Sequence, residues 1–306
     1  MRRSSLVVLA LLYAAPALAA DGSGAPWWIW PIALFVLSLA LGAVAVVGGV
    51  GGGVLFVPIV GGFFPFHLDF VRGAGLLLAL CGALAAGPSL LRDGMASLRL
   101  GMPLALVGST SAIGGALISF ALPTETLQVA LGGTIVAIAF LMMRRHTPTA
   151  RPGELQPDAL AAALGMHGVY RDPASGRDFP WAARRTPTGL AIFAVIGALA
   201  GMFGLGAGWA NVAALNLLMG MPLKLSVGTS GFVLSVVDTS AAWIYLNRGA
   251  VLPLLVAPSI IGVMVGARIG VRVLRNVSAQ VVRRLVVILL LVAGLRALLK
   301  GLGVWP

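Results

Sequence analysis

The sequence predicts an all-α, polytopic membrane protein made of two inverted helical repeats, each interrupted by a glycine-rich helix break. Composition is the first observation: the chain is 59% hydrophobic and 10% charged, with a mean hydropathy of +1.02, whereas soluble domains are about 25% charged. The second is a series of apolar runs close to the ~20 residues that span a bilayer as a helix. The third is self-similarity. A shift of 155 positions (206 minus 51) superposes Gly42 on Gly197, Ala43 on Ala198, Ala45 on Ala200, Gly49 on Gly204, Gly51 on Gly206, Gly53 on Gly208, Leu68 on Leu223 and Gly73 on Gly228.

Residues 1–20 carry a basic start (Arg2, Arg3), an apolar core and small residues at Ala17 and Ala19. This is the pattern of a cleaved secretory signal peptide, which puts the mature N-terminus in the periplasm of a bacterial inner membrane. Trp27, Trp28 and Trp30 follow as an interfacial anchor. The first repeat, residues 31–143, reads as Pro31–Val47, a short segment from Gly51 to Phe64, then Arg72–Ser89, Met102–Ala121 and Thr126–Met143. Residues 144–187 form a polar, charged cytoplasmic loop. Within it Gly168–Pro173 and Gly176–Phe179 suggest a small hairpin, on a segment that reads as a solvated linker or as a regulatory, partner-docking element. The second repeat, residues 188–300, reads as Gly189–Phe203, Gly206–Met219, Ser226–Leu246, Val251–Gly270 and Val281–Leu299.

Charge tests this count. The net charge of +12 and pI near 11.6 do not make a nucleic-acid patch, because the arginines sit at the ends of apolar runs, as the positive-inside rule requires. With the N-terminus outside, five crossings per half place Arg92, Arg99, the basic stretch from Arg144 to Arg185, Lys224, Arg268, Arg272, Arg275, Arg283 and Arg284 in the cytoplasm. Arg72, Arg248 and Lys300 fall on outer ends. An odd number of crossings inverts the second half relative to the first. If the short segments turned back instead, the halves would be parallel and the basic loop would lie outside.

The paired clusters Gly48–Gly53 and Gly201–Gly208 are poor choices for continuous helix, since glycine costs about 1 kcal/mol relative to alanine. Discontinuous helices at matching places in two halves point to the site of a repeat-built transporter, with amide groups at half-helix starts available to an anion. Close helix packing through small residues is the competing reading.

A glycine-rich break, a short apolar segment and then Gly228-Thr229-Ser230 resembles the TauE/SafE family of sulfite exporters over residues 31–143 and 189–299. The resemblance implies a membrane transporter of a small, sulfur-containing organic or inorganic anion. On its motifs Gly51, Gly52, Gly53 and Pro58 match in the first half, and Gly206, Gly208, Gly228, Thr229 and Ser230 in the second. Two positions depart from the pattern: Gly73-Ala74-Gly75 stands where Gly-Thr-Ser is expected, and Ala213 stands at the place of Pro58.

Candidate donors to an anion at membrane depth are the amides at the breaks with Thr229, Ser230, Asn211 and Asn216. Thr229 and Ser230 read equally as helix caps, and the asparagines as bridges between helices. Arg72 is the natural cation for the substrate, or a snorkelling interfacial arginine. Asp238 is a carboxylate deep in a span, where a charge costs at least about 2.5 kcal/mol; it reads as the coupling proton site or as half of a structural pair. Trp243 and Tyr245 read as an interfacial belt. No cofactor, metal or catalytic constellation is expected: Cys81 is the sole cysteine, and His67, His146 and His167 are dispersed. Expected partners are the anion and membrane lipid, with room for a homo-oligomer.

Overall fold

The computed structural model describes residues 28–49, 51–63, 66, 68–121, 123–144, 156–172, 175–206, 208–277 and 279–304. The signal peptide, Trp27 and residues 145–155 of the central loop lie outside the described residues. The first half contains α1 (Ile29–Gly48), α2 (Gly52–Phe63), α3 (Leu68–Arg92), α4 (Leu98–Ser119) and α5 (Thr124–Arg144). A central segment follows, with α6 (Ala159–Ala163), β1 (His167–Arg171) and β2 (Asp178–Ala182). The second half contains α7 (Thr186–Phe203), α8 (Gly208–Ala213, continued by a π turn over Ala214–Leu218), α9 (Leu223–Asn247), α10 (Pro253–Asn276) and α11 (Ala279–Gly301). Among the described residues, α1, α3, α4, α7, α9 and α10 are long and apolar enough to cross a membrane. The chain is an all-α polytopic membrane protein.

The repeat seen in the sequence is present in the backbone. Helices α3, α4 and α5 begin at Leu68, Leu98 and Thr124, and α9, α10 and α11 begin at Leu223, Pro253 and Ala279, the same shift of 155 positions (223 minus 68). Helix α1 closes on Gly49 and α7 on Gly204, both at φ 65°. Gly51 and Gly206 then turn the chain at φ 83° and 78°. These are left-handed conformations that a side chain resists by about 1–2 kcal/mol, which is why glycine recurs at both places.

Glycine contacts also fix the direction of each helix. Added Cβ atoms on Gly262, Gly266 and Gly270 would fall on the backbone of Phe35, Leu39 and Ala43 in turn, so α10 and α1 run parallel. Gly197 meets Gly108, and Gly201 meets Ala112, so α7 and α4 run parallel. Gly101 meets Thr229 and Phe232 while Gly108 meets Val237, which makes α4 and α9 parallel as well. Helices α7 and α9 therefore point the same way, and α8 with its flanking turns carries the chain back between them. Repeat-related helices, in contrast, run in opposite directions: Arg72 near the start of α3 faces Tyr245 near the end of α9, and Gly132 of α5 meets Leu298 of α11. The two halves interlock, with the first helix of each packed on the fourth helix of the other.

The central segment is a docked element, where a solvated linker was one expectation. β1 and β2 form the antiparallel hairpin, pairing Val169 with Pro180. Asp172 at its turn accepts from Lys224 Nζ at 2.7 Å, and Lys224 is 3% exposed. Asp158 accepts from the amides of Ala161 at 2.7 Å and Thr186 at 2.6 Å, so one carboxylate serves the starts of both α6 and α7. A charged loop stays solvated when nothing offers it partners; here two helix starts do.

Candidate functional site at the paired breaks

The two breaks meet half-way along the antiparallel α3–α9 pair. A Cβ on Gly51 would lie 2.7 Å from Leu234 and 3.6 Å from Ala79; one on Gly206 would lie 3.0 Å from the same Ala79 and 2.9 Å from Asp238 Oδ2. Gly53 reaches across to the other break, where its Cβ would fall 2.6 Å from Leu205 O. The first turn of α2 thus sits against the turn that precedes α8, at the depth where the long helices cross. Close approach of backbone to backbone is what glycine permits there.

Several residues named from sequence hold this junction together. Ser230 is fully buried and donates to Gly49 O at 2.9 Å, with Gly208 O at 3.5 Å, so its hydroxyl ties α9 to both breaks. The carbonyl it reaches belongs to the end of α1, where helix geometry leaves acceptors unmet. Its repeat mate Gly75 occupies the matching place beside Gly204 O without a hydroxyl. Thr229 Oγ1 accepts from Ser97 N at 3.1 Å, fixing the start of α4. Gly228 lets α9 pass against Met95 O. Asn216 donates to Met221 O at 2.7 Å, bridging the π turn.

Arg72 is 5% exposed and is engaged by the protein itself. Its guanidinium donates to Met202 O in the last turn of α7, lies 3.5 Å from Asp69 Oδ1, and stands 6.0 Å from the Tyr245 ring centroid. A cation at a helix C-terminus meets the negative end of the dipole, so Arg72 fastens α7 to α3. Tyr245 belongs to the same cluster, donating to Gly201 O at 3.1 Å at 1% exposure. That corrects its expected place in an interfacial belt; Trp243, at 65% exposure, does face outward.

Among the described residues, two polar side chains near the second break have no such partner. Asp238 and Asn211 are both 0% exposed, and neither oxygen of the carboxylate nor either polar atom of the amide is hydrogen-bonded. Buried polar groups are nearly always bonded, and an ionised carboxylate with neither donor nor counter-ion is especially costly. At the first break the repeat places Ala83 where the second has Asp238, and Phe56 where it has Asn211. The fold is symmetric, but the chemistry is gathered at one break. Beside the first break is a cavity of about 30 Å³, lined by Gly49, Gly51, Ala79, Ala83 and Leu234, room for about one water. The described residues contain no group of three or more His, Cys, Asp or Glu side chains that could hold a metal.

A family model described as Sulfite exporter TauE/SafE matches residues 34–297, which includes both breaks and all ten repeat elements in whole or part. The chain belongs to the TauE/SafE family. It is also 23% identical over 278 residues to the Probable membrane transporter protein YunE of Bacillus subtilis (strain 168), covering 89% of this chain and 98% of that relative. No solved structure matches it. Membership makes this TauE/SafE chain a multi-pass protein of a membrane-transporter family. What sequence reasoning missed is that the hydroxyls it picked are occupied by backbone carbonyls and amides; the departure at Gly73-Ala74-Gly75 signalled the asymmetry, but not which atoms remain unpartnered.

Proposed function

We propose that this protein is a secondary transporter of a small sulfur-containing anion, of the sulfite or sulfonate class, working by alternating access around the paired breaks. Asp238 carries the reading: a fully buried carboxylate without a partner, set against Gly206 at a helix break, is placed for a proton that comes and goes with the anion. In this reading Gly51, Gly52, Gly53, Gly206, Gly208 and Asn211 surround the anion, while Arg72, Gly228, Thr229 and Ser230 hold the breaks in register. The cavity of about 30 Å³ is too small for a multi-atom anion, so the bundle must open to admit one. The antiparallel run of repeat-related helices supports halves inverted in the bilayer, with the hairpin in the cytoplasm and the C-terminus outside.

Proteoliposomes loaded with buffer and given external sulfite or a sulfonate under a pH gradient test the reading. Accumulation above the external concentration is expected. Passive equilibration alone would make the protein an anion channel, and chemical conversion of the anion would make it an enzyme. Topology is checked separately in a Cys81→Ser background, where Arg177→Cys is expected to resist a membrane-impermeant thiol reagent in intact cells; labelling there would refute the inverted arrangement.

A further inference from the structure

Helix α10 presents an exposed stripe of Ile261, Val265, Ile269 and Val273, repeating every four residues, which is the spacing of a single helix face. In a membrane protein such a face meets acyl chains. Arg268 and Arg272 are exposed and lie within that stripe: at 100° per residue both fall between or beside Ile261 and Val265 on the helix surface. The next helix repeats the pattern, with Arg284 exposed in the stripe of Val281, Ile288, Val292 and Leu295 on α11. The two helices are joined at 277–278, so all three arginines lie at one end of the bundle. Arg268 is eight residues from the end of α10, or about 12 Å at 1.5 Å per residue.

Among the described residues these cations lack protein partners. Asp93, the carboxylate at this end that bonds α10, accepts from Arg275 Nε at 2.6 Å. Among the described residues no ion pair or side-chain hydrogen bond reaches the guanidinium of Arg268, Arg272 or Arg284. The whole chain has 21 Lys and Arg against 9 Asp and Glu, so most of its positive charge must be balanced from outside. A guanidinium on an acyl-facing stripe bends toward the headgroup layer, and its planar donors match phosphate oxygens.

We propose that this end of α10 binds an anionic phospholipid, with the headgroup phosphate held by Arg268 and Arg272, one helical turn apart. The acyl chains lie along Ile261, Val265 and Ile269. A positive-inside signal needs only the presence of charge in the loop regions; a lipid site additionally needs these side chains on the acyl-facing stripe, where the fold has put them.

The full-length protein in detergent is titrated with dioleoylphosphatidylglycerol, dioleoylphosphatidylcholine or inorganic phosphate, with bound lipid counted by native mass spectrometry. Phosphatidylglycerol is expected to bind in preference to phosphatidylcholine, and inorganic phosphate to compete weakly. Arg268→Gln should lower the preference about fivefold and Arg268→Gln/Arg272→Gln about 25-fold, the factors that correspond to about 1 kcal/mol per basic residue at an anionic surface. Arg268→Lys/Arg272→Lys should keep most of it. Arg99→Gln, an exposed arginine at the start of α4, should leave it unchanged. Equal binding of the two lipids, an unaltered preference in the double variant, or a loss of the same size in Arg99→Gln would overturn the site.

Discussion

Replacing Asp238 by Asn removes the charge and the exchangeable acid proton but keeps the size and shape of the side chain. Had Asp238 been half of a buried ion pair, its loss would strand a cation and cost about 3–5 kcal/mol. Among the described residues it has no counter-ion and no donor at 0% exposure, so the substitution breaks no bond seen there. The amide brings a second buried donor, a cost of about 1–3 kcal/mol if unmet, offset by the absence of any form that must be charged in an apolar surround. The net change expected is within about 1 kcal/mol, or a few degrees in melting temperature. Transport should respond very differently: accumulation driven by a pH gradient disappears, while downhill anion exchange persists. Thermal unfolding in detergent and flux in proteoliposomes read the two quantities on one preparation. A well-expressed Asp238→Asn protein that loses more than about 3 kcal/mol would show the carboxylate to be structural. One that accumulates anion normally would remove the proton from it.

Three further outcomes follow from the packing. Ser230→Ala leaves Gly49 O without its donor and should lower stability by about 1–3 kcal/mol, with anion affinity falling in step as the breaks loosen; lowered affinity at an unchanged melting temperature would instead make the hydroxyl a direct ligand. Gly201→Val places a side chain on Ala112 O where α7 crosses α4 and should abolish the folded, monodisperse protein on size-exclusion chromatography. Gly114→Ala on α4 meets nothing within 4 Å and should be neutral or stabilising by up to about 1 kcal/mol. At Asp158, partial desolvation raises the carboxyl, but the amides of Thr186 and Ala161 outweigh it and hold it below the usual range. A depressed folded value means that its contribution is complete above the ordinary carboxylate value of about 3.9 and is lost as pH falls through the folded one. Hydrogen exchange at the starts of α6 and α7, corrected for intrinsic rates, should accelerate in that acid window, and Asp158→Asn should flatten the response.

Much of the architecture was legible because it rests on local properties. Apolar runs near 20 residues read as spans, and all ten segments form helices close to where hydropathy placed them. The paired glycines read as breaks because a left-handed turn at Gly49, Gly51, Gly204 and Gly206 is a property of residues that lack Cβ. The hairpin at Gly168–Phe179 was also visible, from turn residues between short extended runs, but its docking was not: Lys224 lies 52 positions from Asp172.

The sequence by itself therefore determined which segments form apolar helices, where the helices break and that the halves repeat, since hydropathy, backbone freedom and self-similarity are written residue by residue. Tertiary structure alone decided what each polar side chain does. Ser230 reaches Gly49 across 181 positions and Arg72 reaches Met202 across 130, so a hydroxyl and a cation that the spacing offered to a ligand became fasteners of the fold. The sequence marked Asp238 by its depth in a span and Asn211 as a candidate donor, but could not show that both lack partners. Their distinction is that no described neighbour bonds them, and whether a buried donor or acceptor has a neighbour depends on how distant helices pack.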